Sequence, residues 1–334
     1  MKFGVFDHVD ANGMVLAEQY AQRLQFVELY ETLGFHCYHL AEHHATRLGM
    51  ASSSSVFLSA VAQRTKTLKF GPLVYLLPLY HPLRLLEEIG MLDQLGGGRL
   101  QLGVGPGGQV AEHSRFGLAA DDVRPMFDEA FEVLIKGLTS ETLEHDGRYY
   151  TIPPTPQLIK PIQQPHPPLW YGTSAPERAR WAAEHRINLV SLMPNERTRP
   201  IADALKAAWA ETGHPEAEKP FMGLSRLPVI ADSDAEARTI AERIWPGFAR
   251  SFNWLVNWLG RDPFPIPGEF AGAEAMGLAF AGSPETARQW VGRAQEEAGI
   301  DYLAVELVFG EMTTEEATRS IELFAREVMP AFAD

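Results

Sequence analysis

Cysteine is nearly missing from this 334-residue chain: Cys37 stands alone, which excludes an intrachain disulfide and any thiolate metal cluster. Such scarcity suits a reducing compartment. Basic charge is also short, with 29 Lys and Arg against 43 Asp and Glu and a formal net charge of -14. Phosphate backbones are held by basic patches, so a nucleic-acid partner is not expected. The acidity reads instead as a solubilising surface. No run of about 18 apolar residues occurs, so no membrane-spanning helix is expected. The opening Met1 to His8 has too short an apolar run for a signal peptide, and the expected location is the cytoplasm. Catalytic signatures are missing too. There is no HExxH or CxxC spacing for zinc, no Walker lysine, and no GxSxG elbow around Ser52 to Ser55.

What is present is alternation. Short β-branched or aromatic runs take turns with longer amphipathic stretches almost from end to end, the pattern of repeated βα units on a parallel sheet. Phe3 to His8 is read as a first strand and Met14 to Leu33 as its helix, stopped by Gly34. Phe35 to Ala41 follows as strand two, with the serines Ser52 to Ser55 capping a helix that ends near Thr65. Leu68 to Leu76, apolar on both faces, is strand three. A helix from Pro82 to Leu95 is broken by Gly96-Gly97-Gly98, and Arg99 to Val104 is strand four. A helix from Arg124 to Gly137 precedes an inserted hairpin over Glu141 to Thr151, centred on Asp146-Gly147. Pro153 to Pro168 is read as a long surface crossing. Strands five to eight are Leu169 to Thr173, Ile187 to Leu192, Leu224 to Ile230 and Asp301 to Leu307, with a last helix to about Met329. The count favours an α/β fold, a (β/α)8 TIM-like barrel forming a single domain over residues 1–334. Trp258 to Gly282, with five glycines and three prolines, is then a long loop inserted after strand seven. It is either a lid over the active-site face or a passive surface loop.

Three strand ends carry candidate chemistry. Ala41-Glu42-His43-His44 closes strand two, and in a parallel barrel that end opens at the mouth. Imidazole exchanges a proton near neutral pH, so one of these histidines is a candidate acid or base. Neighbouring side chains on an extended strand point opposite ways, so the two cannot enter a pocket alike. A structural pair is the competing reading. So is a metal site, given His8, His36, His39, His81, Asp7 and Glu42 nearby in sequence. Gly103-Val104-Gly105-Pro106-Gly107-Gly108 follows strand four, either a plain tight turn or a cradle of backbone N–H groups for a cofactor phosphate. Leu169 to Pro176 includes Thr173 and Ser174, either of which can cap the next helix beside an anion site. The aromatics between Trp245 and Trp258 recur at helical spacing and read as core.

Together these segments resemble the bacterial luciferase-like flavin monooxygenases. The likeness runs through MKFGVF, GFHCYHLAEHH, LKFGPLVYLLPLYHPLRLLEEIGMLDQLGGGRLQLGVGPG, LWYGTSAPE, WAAEH, AGSPE, GIDYLAVE and LFAREVMP, and it is poor around residues 140 to 165 and 245 to 280. The resemblance implies a barrel that binds FMN at its C-terminal mouth. Reduced FMN, a co-substrate supplied by a separate flavin reductase, would react with O2 to oxygenate a small organic molecule. It implies His43 as the catalytic histidine with Glu42 beside the flavin, and a non-proline cis peptide at Leu73-Val74 under the ring. Gly107, Gly108, Gly172, Thr173 and Ser174 would hold the polar tail. Where the prototype places an arginine on the flavin phosphate, this chain has Pro106; the Gly107 and Gly108 N–H groups or Arg178 are the expected substitutes. A homodimer is also implied. Rival readings are a deazaflavin hydride-transfer enzyme on the same barrel, a flavin-binding protein without turnover, and a metal hydrolase.

Overall fold

The alternating runs form twelve strands in a computed structural model that describes residues 1–333. They are β1 (Lys2–Asp7), β2 (Cys37–Leu40), β3 (Lys69–Pro72), β4 (Tyr75–Leu76), β5 (Leu102–Gly105), β6 (Thr142–Asp146), β7 (Thr151–Pro156), β8 (Leu169–Gly172), β9 (Asn188–Ser191), β10 (Met222–Ile230), β11 (Ala279–Gly282) and β12 (Tyr302–Val305). Neighbours run β3–β2–β1–β12–β10–β9–β8–β5–β4 in one parallel sheet. A parallel bridge between Phe70 and Leu100 brings the two edges together and closes the ring. β3 and β4 are two halves of one barrel strand, separated at the cis peptide Leu73-Val74. Helices such as Leu16–Thr32, Ser54–Arg64, Pro82–Leu95 and Ala120–Thr139 form the outer layer.

Strands covered on both sides need apolar residues on both faces. Inside the barrel Phe6, Ala41, Leu73, Trp170, Val190, Tyr302 and Ala304 make one cluster. Val5, Leu40, Leu189, Leu224 and Leu303 join the helix layer outside. His39 also lies inside, fully buried, with Nε2 2.8 Å from the Tyr302 hydroxyl and its ring edge-on to Trp170. Burial, with His36 adding to it, holds this imidazole down at about 3.

The closing seam is narrow. A Cβ built on Gly71 would lie 1.7 Å from the Gln101 carbonyl oxygen, and one on Gly103 would lie 2.1 Å from that of Pro72. Only glycine lets β3 and β5 approach this closely. Arg99 locks the lower end by donating to the carbonyls of Ala62, Thr65, Leu68 and Gly96.

Several local expectations need correction. Strand three is interrupted rather than continuous. The hairpin's second strand extends to Pro156, so the start of the proline-rich crossing is strand; prolines suit it because this two-stranded sheet has open edges. The segment Trp258 to Gly282 is not loop throughout: Phe270–Ala275 is helical, and β11 pairs in parallel with β10. Ser53 occupies the N-cap of its helix without a side-chain bond; Ser54 and Ser55 instead reach Glu42 and Glu88. Thr173 closes its own turn through Ala175 rather than capping a helix.

Two outcomes follow. Gly103→Ala is expected to lower unfolding free energy by about 2 kcal/mol or more, because the obstruction is backbone and cannot swing aside. Urea denaturation showing wild-type stability would mean the seam opens freely. His39 takes up no proton in the fold until about 3, whereas the unfolded chain binds one near 6.5. Stability therefore falls as pH drops through that window, by at most about 1.4 kcal/mol per pH unit. His39→Gln should flatten the slope, and identical slopes would show that the ring is protonated inside the barrel.

Candidate active site

The C-terminal ends of β4, β5, β8 and β9 border a cleft of about 590 Å³. Val74, Leu192 and Met193 make its apolar wall, and the turn Gly105 to Gly108 and the junction Tyr171 to Ala175 make its polar one. Gly107 has φ +83°, and a Cβ there would meet His113 Nε2 at 2.7 Å, so the turn depends on glycine twice over. Among the described residues, the N–H groups of Gly107, Gly108 and Ser174 have no hydrogen-bond partner. Two guanidinium groups reach this cleft. Arg124 donates to the Tyr171 hydroxyl at 3.0 Å and has no carboxylate partner among the described residues. Arg178 is paired with Asp128 at 2.8 Å and lies over the Trp181 ring. Glu177 is the one carboxylate of the lining.

Beyond β2, His43 and His44 diverge as alternation requires. His43 Nδ1 lies 2.8 Å from Glu112 Oε1, and the other Glu112 oxygen accepts the His44 N–H at 3.2 Å. Glu112 is buried on the short helix Val110–His113. The last residue of that helix, His113, lies with Nε2 2.9 Å from the Pro106 carbonyl. His43 is thus tied, through one turn of helix, to the glycine-rich wall of the cleft. His44 turns to Glu42 at 3.0 Å and stands edge-on to Phe116.

Val74, Gly107, Gly108, Gly172, Thr173 and Ser174 all line the same cleft, as does Arg178. Glu42 and Leu73 do not. Glu42 is 2% exposed, and its carboxylate is taken up by His44, Ser54 and Tyr80. Leu73 points into the barrel cluster. His43 stands beside the cleft rather than in its lining. Two residues of the site escape a reading of the chain alone. Glu112 lies 69 positions from its histidine, and nothing in VAEH marks it as a partner. Arg124 sits one residue before a helical proline and reads locally as surface. Among the described residues no group of three or more His, Cys, Asp and Glu side chains is arranged to hold a metal ion.

A family model described as luciferase-like monooxygenase matches residues 1–302. Protein y4wF of Sinorhizobium fredii is 37% identical over 98% of this chain and 96% of its own length. The oxygenase component of a flavin-dependent trigonelline monooxygenase from Acinetobacter baylyi is 26% identical over 100% and 96%. Among solved structures, monooxygenase RslO1 from Streptomyces bottropensis superposes with a TM-score of 0.89 at 25% identity, covering 100% of both chains. The oxygenating constituent of 3,6-diketocamphane monooxygenase of Pseudomonas putida, a type II Baeyer–Villiger monooxygenase solved with FMN, gives 0.83 at 22% over 99% and 98%. A match over residues 1–302, on a closed barrel with this cleft at its mouth, means that the chain belongs to the luciferase-like monooxygenase family.

Proposed function

We propose that this protein is the oxygenase component of a two-component monooxygenase, taking reduced FMN from a separate flavin reductase and using O2 to oxygenate a small organic molecule. One observation carries the reading: a single cleft has unpaired N–H groups and two guanidiniums at one end, an apolar wall at the other, and a carboxylate-anchored imidazole beside it. That donor set suits a phosphate monoester joined to a flat ring. Bound reduced FMN supplies the two electrons with which O2 is activated.

The residues divide the remaining work. Arg124 and the N–H groups of Gly107, Gly108 and Ser174 bind the phosphate end, with Arg124 standing in for the arginine that Pro106 replaces. Arg178 is the weaker substitute, because Asp128 already neutralises it. Val74 and Met193 flank the ring. Glu112 accepts the Nδ1 proton of His43 and so leaves Nε2 to hold or release a proton at the reacting centre. Trp254, Leu255, Val256, Leu259 and Phe264 pack on Ala111 and cover the helix carrying Glu112. This stretch, which starts before Trp258 and takes in only the beginning of Trp258 to Gly282, acts as the lid that keeps water out.

The same reading takes the chain as a single-domain cytoplasmic enzyme that works as a homodimer. Val56, Met91 and Leu95 lie exposed on the adjacent helices Ser54–Arg64 and Pro82–Leu95. With Leu158, Ile159 and Ile162 beside them, they supply an apolar face of the kind that a second copy covers.

Fluorescence titration with FMN should show Arg124→Ala weakening binding about tenfold to hundredfold, with Arg178→Ala costing less. Equal or absent effects would remove Arg124 from the phosphate site. In a screen of small organic molecules with FMN, a reductase and O2, the wild type should form oxygenated product. His43→Ala should keep FMN binding largely intact yet lower product per flavin oxidised about tenfold or more. An unchanged ratio would take His43 out of the mechanism, and flavin binding without any product would point to a carrier rather than an enzyme.

A further inference from the structure

A second carboxylate-anchored imidazole lies against the first. β1 and β12 are neighbours in register, Val5 opposite Val305, so the residues that follow them at the mouth are brought together across 298 positions. His8 and Glu306 are those residues. Both Glu306 oxygens lie within 3.0 Å of His8 Nδ1, and the His8 backbone N–H donates to Oε1 at 3.2 Å. The His8 ring stacks on that of His43 with centroids 5.5 Å apart and planes 20° apart. Phe6 and Phe248 meet it edge-on.

Each ring is therefore held by its Nδ1 while its Nε2 has no partner among the described residues. The buried polar atoms left without partners are Gln22 Oε1, the three Arg23 nitrogens, His113 Nδ1 and Trp209 Nε1. Neither Nε2 is among them, so both reach open space. Burial opposes charge on His8, but Glu306, with Asp10 and Asp7 behind it, outweighs burial and lifts the imidazole above its ordinary range. A protonated ring offers Nε2–H as a donor. The surroundings are acidic. Glu306, Glu112 and Asp7 stand close behind the two rings, with Asp10, whose carboxyl is pushed up by burial to about 7, and with Arg23 against Asp7 and Asp10 as the nearby buried guanidinium. A carboxylate ligand would meet like charges here, whereas a neutral oxygen would meet the His8 Nε2–H without that repulsion.

We propose that His8, anchored by Glu306, is a substrate-positioning residue whose Nε2–H donates to a neutral carbonyl or hydroxyl oxygen of the molecule to be oxidised, with the stacked His43 ring alongside. The assignment rests on the oxygenase reading for its purpose, yet its binding claim is independent of flavin.

The test is an NMR titration of the full-length protein, without and with FMN, following the imidazole Cε1–H signals of His8 and His43 as cyclohexanone is added. Both signals should move. Binding should weaken about fivefold or more in His8→Phe and return to within about twofold in His8→Gln, which restores an N–H donor. Cyclohexanecarboxylate should leave both signals in place. Should His8→Phe fail to fold, Glu306→Gln, which frees the ring, must weaken the ketone by a similar factor. Equal ketone binding by the substituted and native proteins, equal binding of the carboxylate, or no shift of the native signals overturns the assignment. Failure of the oxygenase reading is seen separately, as a native protein that responds to the ketone but does not bind FMN.

Discussion

Barrel closure at the β3–β5 seam is the constraint on which the site depends. The ring is joined there by the Phe70–Leu100 bridge, at a place where two main chains press against each other through Gly71 and Gly103. Immediately above it the barrel strand divides at Leu73-Val74, and the partner strand runs out into the turn Gly105 to Gly108. Val74 and that turn are the two sides of the cleft nearest the seam. The same close approach that completes the cylinder thus sets the width of the cleft. Side chains at these glycines would push the cleft walls apart before any contact with a ligand was lost.

The mouth is organised by pairing imidazoles with buried carboxylates. Glu112 holds His43, Glu42 holds His44 and Glu306 holds His8. A carboxylate removed from water is costly unless its oxygens are satisfied. Each of these three accepts at least two hydrogen bonds from side chains or backbone N–H groups. The outcome is a set of rings whose orientation is imposed from behind, with little left to solvent fluctuation, as preorganised catalysis requires.

How much of this can be seen in the chain alone depends on the range of the interaction. The barrel is legible because each βα unit is local: Gly34, Gly97 and Gly98 end helices with positive φ, while the hairpin turns over Gly147 to Tyr150, one step beyond the expected Asp146-Gly147 centre, because Asp146 pairs with Thr151. The glycine turn Gly105 to Gly108 and the Thr173–Ser174 junction are legible for the same reason, and the structure brings them to one cleft. Glu42, which the resemblance places beside the flavin, turns away from the barrel interior to Ser54 and Tyr80. Glu112, Arg124 and the His8–Glu306 pair were invisible as partners, since their meaning arises only when distant strand ends and helices converge. β11 is not legible in the chain because Ala279 to Gly282 is four residues long and finds its partner through β10, in a stretch rich in glycine and proline.

The cover formed by Leu255, Val256 and Phe264 rests on Ala111, next to the glutamate that orients His43. Whatever displaces that cover also disturbs the support of the imidazole. Cover and imidazole are thus joined through one turn of helix, with Ala111 beneath the roof and Glu112 beside the ring.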